Sequence, residues 1–218
     1  MTYRTEFHCH TIYSKDSLVA PARLVESCHK KGIDRVIISD HNSIKGALEA
    51  QKIAPELVII GEEIMTTKGE ILAAFLKEEI PAMLSPQEAI ALLKEQRAFI
   101  SVSHPFDFTR SGYWQEADLL EILSEIDAIE TFNARCLLPR MNAQAQEFAE
   151  RHGIASTVGS DAHTLFELGH ATLTLPKFNS AEELRQVIRQ GVANTRKTGI
   201  HARAASRYAV LRKKLLRG

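Results

Sequence analysis

The sequence is poor in the features that mark secreted or membrane proteins. Its 218 residues include three cysteines, an odd number at unrelated spacings, which does not suit a disulfide framework and indicates a reducing compartment. No signal-like apolar segment follows the first residues, and no apolar run is long enough to span a bilayer. We therefore expect a cytoplasmic protein with no membrane partner, while the sequence carries no signal for an oligomeric state.

Two motifs of common hydrolases are missing as well. The sequence has no Gly-x-x-x-x-Gly-Lys phosphate loop and no Gly-x-Ser-x-Gly nucleophile elbow. Nucleotide-driven chemistry and serine hydrolysis are therefore disfavoured.

Acidic residues are absent from the C-terminal end. Residues 196–218 contain eight Lys or Arg and no Asp or Glu, which leaves 19 basic and 27 acidic residues before them. This basic tail either tracks RNA as a charged strip or packs as a terminal helix with a charged outer face. The apolar residues of the tail have near-helical spacing, so we expect the helix, packed through Leu211 and Leu215. The strip would consist of Arg203, Arg207, Arg212, Lys213 and Lys214.

Short apolar runs alternate with amphipathic segments along most of the chain. Helices are predicted at residues 21–31, 43–53, 86–97, 116–124 and 139–152, and strands at residues 36–38, 57–60, 71–75, 99–102, 128–130 and 155–158. This βαβα order indicates parallel strands covered by helices, in an open doubly wound sheet or in a closed barrel. Polar motifs follow the strands from first to last, which favours the mouth of a barrel, formed by a single domain. Residues 71–75 are expected to form a hairpin-like excursion beside residues 57–60.

Five of the nine histidines stand in four short motifs at predicted strand ends. Imidazole and carboxylate are ligands that suit zinc, manganese and iron, and a His-x-His pair on a strand projects both rings from one face. Ligands that are dispersed in the sequence and converge on folding indicate a multinuclear hydrolytic metal site. The motifs are Phe7-His8-Cys9-His10, Ser39-Asp40-His41, Ser103-His104-Pro105 and Gly159-Ser160-Asp161-Ala162-His163.

Carboxylates near these motifs complete the candidate ligand set. Asp16 lies six residues beyond His10 and is either a ligand or the cap of a helix or turn. Glu62 and Glu63 follow a strand and point to opposite faces, so that only one of them looks inward. Asp40 is expected to hydrogen-bond a ligand imidazole from behind, as metal-bound histidines usually require.

The four motifs, in this order and over nearly the whole chain, resemble those of the PHP (polymerase and histidinol phosphatase) domain family. The resemblance implies a distorted seven-stranded (β/α) barrel that binds two or three divalent ions of zinc, manganese or iron at its mouth. It also implies hydrolysis of phosphoesters, with a phosphorylated small molecule, a nucleotide or a short RNA as substrate.

The resemblance implies three groups of metal ligands. The third group departs from the family pattern, because Leu72 stands where many members have a histidine, and Glu70 is the residue that could replace the missing ligand. The groups are His8, His10, Glu63 and Asp161 for the first ion, Asp16, His41 and His163 for the second, and Glu63 with His104 for the third.

Substrate and proton-transfer residues are predicted beside the ligands. Asn133 and Arg135 follow a strand, and the guanidinium fork matches phosphate oxygens, although a surface Arg–carboxylate pair is the alternative. Arg110 and Arg140 are weaker candidates of the same kind. Asp161 or His163 could assist proton transfer.

These observations predict a metal-dependent phosphoesterase that uses a metal-activated hydroxide, acting as a phosphatase or in the manner of a 5′-exonuclease. Two alternatives stay open. An amidohydrolase-type barrel would also use a His-x-His pair, and a metal-stabilised accessory module would bind ions without turnover.

Overall fold

The strands form one continuous sheet. The computed structural model describes residues 1–199 and 201–216, so that Ile200, Arg217 and Gly218 of the predicted tail lie outside the described residues. Within the described residues the sheet has nine strands in the order β7-β6-β5-β4-β3-β2-β1-β8-β9. They are β1 Thr2–Cys9, β2 Arg35–Ile38, β3 Val58–Met65, β4 Glu70–Ala74, β5 Phe99–Val102, β6 Ala128–Asn133, β7 Ala155–Gly159, β8 Ala171–Pro176 and β9 Val192–Thr195.

The first seven strands curl into a nearly closed barrel. Strand β7 meets β1 at the mouth, where the amide of His10 donates to the carbonyl of Ala162 at 2.8 Å and a parallel bridge joins Cys9 to Ala162. Along the first half of β1, residues 2–5, strand β8 pairs antiparallel with β1, and β9 pairs antiparallel with β8. The predicted distorted seven-stranded barrel is therefore confirmed, with two added strands along one side.

The distortion of the barrel lies at β4. This strand runs antiparallel to both of its neighbours, β3 and β5, whereas β1, β2 and β3 pair in parallel, as do β5, β6 and β7. The predicted excursion at residues 71–75 is thus the β4 strand of a β3–β4 hairpin.

Helices cover the outside of the barrel and begin at recognisable signals. Prolines occupy the first turn of three helices, and Ser85 with Glu88 adds a capping box where one of them starts. Gly153, with φ of 64°, ends the helix before β7. The helices are α1 Pro21–Lys30, α2 Lys45–Ile53, α3 Pro86–Glu95, α4 Glu116–Ile122, α5 Pro139–His152, α6 Ala181–Val187 and α7 His201–Leu215. None of the helices in the described part of the chain has the length and hydropathy needed to cross a membrane.

The end of the barrel away from the mouth is filled with apolar side chains. Phe99 and Ile59 come from the beginnings of β5 and β3, and they belong to one buried cluster with Phe178 and Leu184 near α6. This plug leaves the mouth as the end at which polar side chains can gather.

The C-terminal helix is present, but the prediction that it packs through Leu211 and Leu215 is wrong. These side chains are 58% and 75% exposed, whereas Ala202, Ser206 and Ala209 are buried. The face of α7 that is buried against the barrel therefore consists of small side chains. Its far end is tied to the mouth, because the amino group of Lys213 donates to the carbonyls of residues 12 and 14.

Candidate metal centre

All eight residues predicted as metal ligands converge at the mouth of the barrel. The rings of His10 and His163 lie 4.1 Å apart and those of His10 and His41 lie 4.5 Å apart, measured between centroids. Carboxylate oxygens face these rings, with Glu63 Oε1 at 3.0 Å from His104 Nε2 and 3.3 Å from His8 Nε2. All of these ligands except Asp16 stand near or just after the end of a strand, so the barrel closure itself brings them together.

Asp16 lies on the open side of this cluster. Its Oδ2 atom is 3.1 Å from His163 Nε2, and its Oδ1 atom is 3.5 Å from His41 Nε2. Burial by itself raises the pKa of Asp16, but the adjacent imidazoles of His163 and His41 hold that pKa below its usual range. The carboxylate thus points into the cluster, as a ligand would.

Three groups of side chains bring their ligand atoms within 4.8 Å of one another. The groups share members, which suits ions held side by side rather than one isolated ion. They are His10 with His41 and His163, His8 with His10 and Glu63, and His41 with Glu63 and Glu70.

Several of the converging atoms have no hydrogen-bond partner among the described residues. Unpaired buried polar atoms are costly in a folded protein, and divalent cations would satisfy this set of nitrogens and oxygens at once. The residues present therefore fit metal ions. The unpaired atoms are Nε2 of His8, His10 and His163, Oδ1 of Asp16 and Asp161, and Oε2 of Glu63.

A second layer of side chains orients the rings of the His-x-His pair. His8 Nδ1 lies 3.0 Å from Glu130 Oε1, and His10 Nδ1 lies 3.1 Å from Ser14 Oγ. Ser14 donates in turn to Asp40, so Asp40 reaches His10 through Ser14 rather than directly. These contacts leave Nε2 of each ring directed at the cluster, which is the role expected of groups behind metal-bound histidines.

Glu130 is a functional residue that the sequence reasoning missed. Its Oε2 atom accepts from the amide of His104 at 2.8 Å and from Asn133 Nδ2 at 2.9 Å, while Oε1 faces His8. The approach is close, because a Cβ at Gly159 would lie 1.9 Å from Glu130 Oε1. An acidic residue inside an otherwise apolar strand, Ala128-Ile129-Glu130, was the available signal.

The electrostatics of the His-x-His pair differ between the two rings. Burial, followed by the neighbouring His163 and His41, lowers the pKa of His10 well below its usual value. Burial would also lower the pKa of His8, but Glu63, Glu130 and Asp161 raise it well above the usual value. Binding of a cation at His8 would therefore have to displace a proton.

Asp161 is held in an uncommon conformation at the centre of the cluster. Its φ of 51° lies in the left-handed region, as does the φ of 26° at His104, a conformation that is uncommon for non-glycine residues and recurs at functional sites. Burial raises the pKa of Asp161, yet Arg110 and His8 hold that pKa well below its usual range. The side chain is therefore an anion within a buried site.

Arginines surround the anionic Asp161. Arg110 Nη2 is 2.6 Å from Asp161 Oδ2, and Arg135 Nη1 lies 2.6 Å from His163 Nδ1. Arg135 is buried, and its Nη2 donates to the carbonyl of Ala202 and to Ser206 Oγ of α7. The alternative of a surface ion pair does not describe Arg135. Arg140 instead lies over the ring of Phe108.

Asn133 lies beneath the cluster. Its side chain is fully buried and donates to Glu130 and, at 3.2 Å, to Asp161 Oδ2. This position orients Asp161 from behind.

Glu70 reaches the cluster from β4. Its Oε2 atom is 3.5 Å from His104 Nε2, and its Oε1 atom is 3.8 Å from His41 Nδ1. Leu72 pairs with Glu63 across the β3–β4 ladder, so Glu70 and Leu72 share the face of β4 that looks inward. Gly112 makes room for the carboxylate, because a Cβ there would lie 2.2 Å from Glu70 Oε2.

The cluster opens to solvent through a small basic entrance. This cavity measures about 240 Å³ and is lined by cationic as well as ligand side chains. Arg203 of α7 stands at its rim and donates to Thr109 Oγ1 at 2.9 Å. A site that combines a buried anionic floor with a cationic rim can hold metal ions and attract a phosphate. The cationic lining residues are Lys15, Arg110, Arg135 and Arg203.

Comparison with known proteins gives matches to family models over most of the chain. The model of the PHP domain matches residues 6–152, and the model described as PHP-associated matches residues 139–193. An uncharacterised protein of Methanocaldococcus jannaschii is 37% identical over 179 residues, which cover 81% of this chain and 72% of that protein.

Two further relatives have descriptions that name an activity. A 5′-3′ exoribonuclease of Haemophilus influenzae is 30% identical over 105 residues, covering 45% of this chain and 38% of that protein. A solved structure from Bacteroides vulgatus, a two-domain protein containing a predicted PHP-like metal-dependent phosphoesterase, has a TM-score of 0.71 at 19% identity and shares the fold. It covers 89% of this chain, and the chain spans 65% of its length. The two family models together span every residue of the converging cluster.

Proposed function

This chain belongs to the PHP domain family, and we propose that it is a metal-dependent phosphoesterase that hydrolyses a phosphomonoester or a nucleotide or RNA phosphoester. One observation carries the proposal. Unpaired imidazole nitrogens and carboxylate oxygens converge at the bottom of an entrance that is lined by Arg110, Arg135 and Arg203. A cationic rim suits a phosphate ester better than it suits a neutral amide, which disfavours the amidohydrolase alternative.

The proposed cofactors are two or three divalent ions of zinc, manganese or iron. His8, His10, Glu63 and Asp161 would hold one ion, Asp16, His41 and His163 a second, and Glu63 with His104 and Glu70 a third. When bound, such ions would supply an activated hydroxide at neutral pH and offset negative charge on the phosphoryl oxygens.

The protein's own side chains supply positioning and proton transfer in this proposal. Arg110 and Arg135 would bind phosphoryl oxygens at the entrance, since both guanidinium groups line it. Asn133 would act on the substrate indirectly, because its side chain donates to the carboxylate of Asp161 and holds that group in place. His163 also lines the entrance, and His163 or Asp161 would assist proton transfer, in which the Asp161 anion could act only as the acceptor.

A nucleic-acid end is the substrate that the relatives favour. The Haemophilus exoribonuclease matches less than half of this chain, so its activity comes to this protein only as a proposal. The small cavity at the entrance, about 240 Å³, is suited to a terminal phosphate group.

A substrate panel tests the proposal. Metal-stripped protein is reconstituted with manganese, zinc or iron and assayed on phosphomonoesters, nucleoside bisphosphates, 5′-phosphorylated short RNAs and amide substrates. We expect turnover of at least one phosphoester class, and its loss in His10→Ala and Asp161→Asn. His29→Ala is the matched control, because His29 is exposed on α1. Near-wild-type turnover in either site variant, or turnover of amides alone, would overturn the proposal.

A further inference from the structure

A second concave site lies on the outer side of the loop that follows His163. It measures about 390 Å³ and is lined by the side chains of Arg4, Lys31, His170, Asn194 and Arg196, together with Leu168 and Gly169. The residues named here as metal ligands do not line it. We refer to it as the outer pocket.

The outer pocket concentrates positive charge. Among the described residues, no carboxylate forms an ion pair with the side chains of Arg4, Lys31 or Arg196. Backbone carbonyls hold two of these cations instead. Lys31 Nζ donates to the carbonyls of Leu165, Phe166 and Leu168. Arg4 donates to the carbonyls of Lys31 and Gly169. The positive charge is thus fixed in position, and the exposed Arg196 is the cation that can contact an anion directly.

Two pKa shifts agree with this geometry. Burial, followed by the charge of Arg196, lowers the pKa of Lys31. The same two causes, in the same order, lower the pKa of His170 to about 4. His170 is therefore neutral, and its Nε2 accepts from Arg196 Nη2 at 2.5 Å while Nδ1 lies 2.9 Å from Thr198 Oγ1. The imidazole orients Arg196 without neutralising it.

An exposed aromatic ring stands beside this charge. Phe166 is 71% exposed. Its ring lies 6.0 Å from the guanidinium carbon of Arg196 and makes an edge contact with His170 at 5.1 Å between centroids. An exposed aromatic ring next to cations is the combination by which proteins hold single-stranded nucleic acid, the ring stacking on a base and the cations facing the backbone.

The loop connects the outer pocket to the metal centre. Phe166 follows His163 by three residues, so their Cα atoms are at most about 11 Å apart. A polynucleotide whose terminal phosphate lies at the entrance could therefore reach the outer pocket within a few nucleotides.

We propose that the outer pocket and Phe166 form a binding site for the backbone and one base of a single-stranded nucleic acid whose end lies at the metal centre. The proposal rests on the proposed function for the choice of a nucleic-acid substrate. It adds a place where the substrate is held away from the reacting phosphate, and it assigns to Arg196 and Phe166 a preference for oligonucleotides over small phosphoesters.

Direct binding tests this site without catalysis. The full chain in EDTA is titrated into hexauridylate carrying a 5′-phosphate and a 3′-fluorescein, and anisotropy is recorded over a salt series. Arg196→Glu is expected to weaken binding at least tenfold and to reduce the slope of log affinity against log salt by about 0.7 for each phosphate that the variant no longer neutralises. Phe166→Ala is expected to weaken binding about fivefold, because the base can no longer stack on the ring. Lys52→Glu, an exposed charge reversal on α2, is the control.

The outcomes separate this proposal from the proposed function. Affinity unchanged in both variants would overturn the site, whatever the hydrolysis assays give. Weaker binding in Arg196→Glu alone, with competition by inorganic phosphate, would also overturn it, because the pocket would then bind an anion without a base. Binding that depends on both residues supports the site even if no phosphoester is hydrolysed. In manganese-loaded protein, both variants should raise KM for the oligonucleotide and leave KM for p-nitrophenyl phosphate unchanged.

Discussion

Arg110 reaches across the entrance to Asp161, with Nη2 and Oδ2 separated by 2.6 Å, while its Nε lies 3.0 Å from Asp107 Oδ2. One guanidinium therefore joins the loop after β5 to the loop after β7, and it does so beside the candidate metal ligands. A phosphate that enters the cavity would meet this group near the floor of the site.

Removal of Arg110 is expected to impair turnover. Arg110→Ala should lower kcat/KM for a phosphoester about 10- to 150-fold, the equivalent of a charge-assisted hydrogen bond of about 1.5–3 kcal/mol. Arg140→Ala is the control, because Arg140 is exposed and lies over Phe108. Equal kcat/KM in the wild type and Arg110→Ala would contradict a role in the reaction. Steady-state kinetics and metal content should be measured on the same preparations.

Arg135 is expected to have two separable effects. Because it would bind the substrate phosphate, Arg135→Ala should lower kcat/KM by a similar factor, without loss of metal. Because it also anchors α7 through Ala202 and Ser206, the same variant should expose α7 to proteolysis. Ser206→Ala removes only one anchoring hydrogen bond and should increase proteolysis without changing kcat/KM. An unchanged kcat/KM in Arg135→Ala would leave Arg135 with a structural role alone.

Glu70 is expected to determine whether a third ion is retained. Glu70→Ala should reduce the metal content after dialysis by one ion per chain, because the third ion, held by Glu63, His104 and Glu70, loses an oxygen ligand. Elemental analysis measures the change. Leu72→His in the Glu70→Ala background should restore the ion, since Leu72 faces Glu63 across the β3–β4 ladder. An ion count that is the same in the wild type and Glu70→Ala would show that Glu70 is not a ligand.

His170 is expected to make folding stability depend on pH. Its pKa falls from 6.5 to about 4 on folding, first through burial and then through Arg196. The unfolded chain therefore binds the proton more readily, so stability is lost as the pH falls from about 6.5 toward 4. The loss is up to about 1.4 kcal/mol per pH unit, and less where solvent screens Arg196. Urea unfolding of the wild type against His170→Gln should show this slope, whereas His29→Gln should keep the wild-type slope.

The packing of α7 through small side chains gives a stability prediction. Ala209→Leu should reduce the free energy of unfolding by about 1–3 kcal/mol, because a larger side chain cannot fit against the barrel. Leu215→Ala changes a residue that is 75% exposed, and it should alter the free energy by no more than about 0.5 kcal/mol. Denaturant unfolding of both variants measures which of them loses more free energy of unfolding. A larger loss of unfolding free energy in Leu215→Ala than in Ala209→Leu would instead support the packing through Leu215 that the apolar spacing indicates.

The histidine motifs could be predicted from the sequence because each one has the appearance of a strand end. Strand ends meet at the mouth of a barrel, so residues such as His8, His41 and His163 converge whatever the details of the loops. Glu130 could not be predicted in the same way. It lies within β6, and its role depends on the absence of a side chain at Gly159, a relation between two strands that neither strand shows alone.

The end of the chain was harder to predict for a different reason. Strands β8 and β9 lie outside the βαβα repeat, and they pair antiparallel along the side of the barrel. In α7 the apolar periodicity pointed to Leu211 and Leu215, but the small residues Ala202, Ser206 and Ala209 form the buried face. Arg135 holds this face through hydrogen bonds that span 67 and 71 residues in sequence, a relation that local periodicity does not report.

The candidate ligands extend along the chain from His8 to His163. Apart from the pairs His8 with His10 and Asp161 with His163, each ligand comes from a different part of the barrel. A partly folded chain therefore offers an incoming ion no more than a fragment of its coordination sphere. Contacts between residues this distant in sequence also form late, because loop closure has to precede them. Metal ions would then bind only after the transition state for folding. Their stabilisation of the native state would therefore appear as a slower rate of unfolding. They would prolong the lifetime of the native barrel while leaving its rate of formation nearly unchanged.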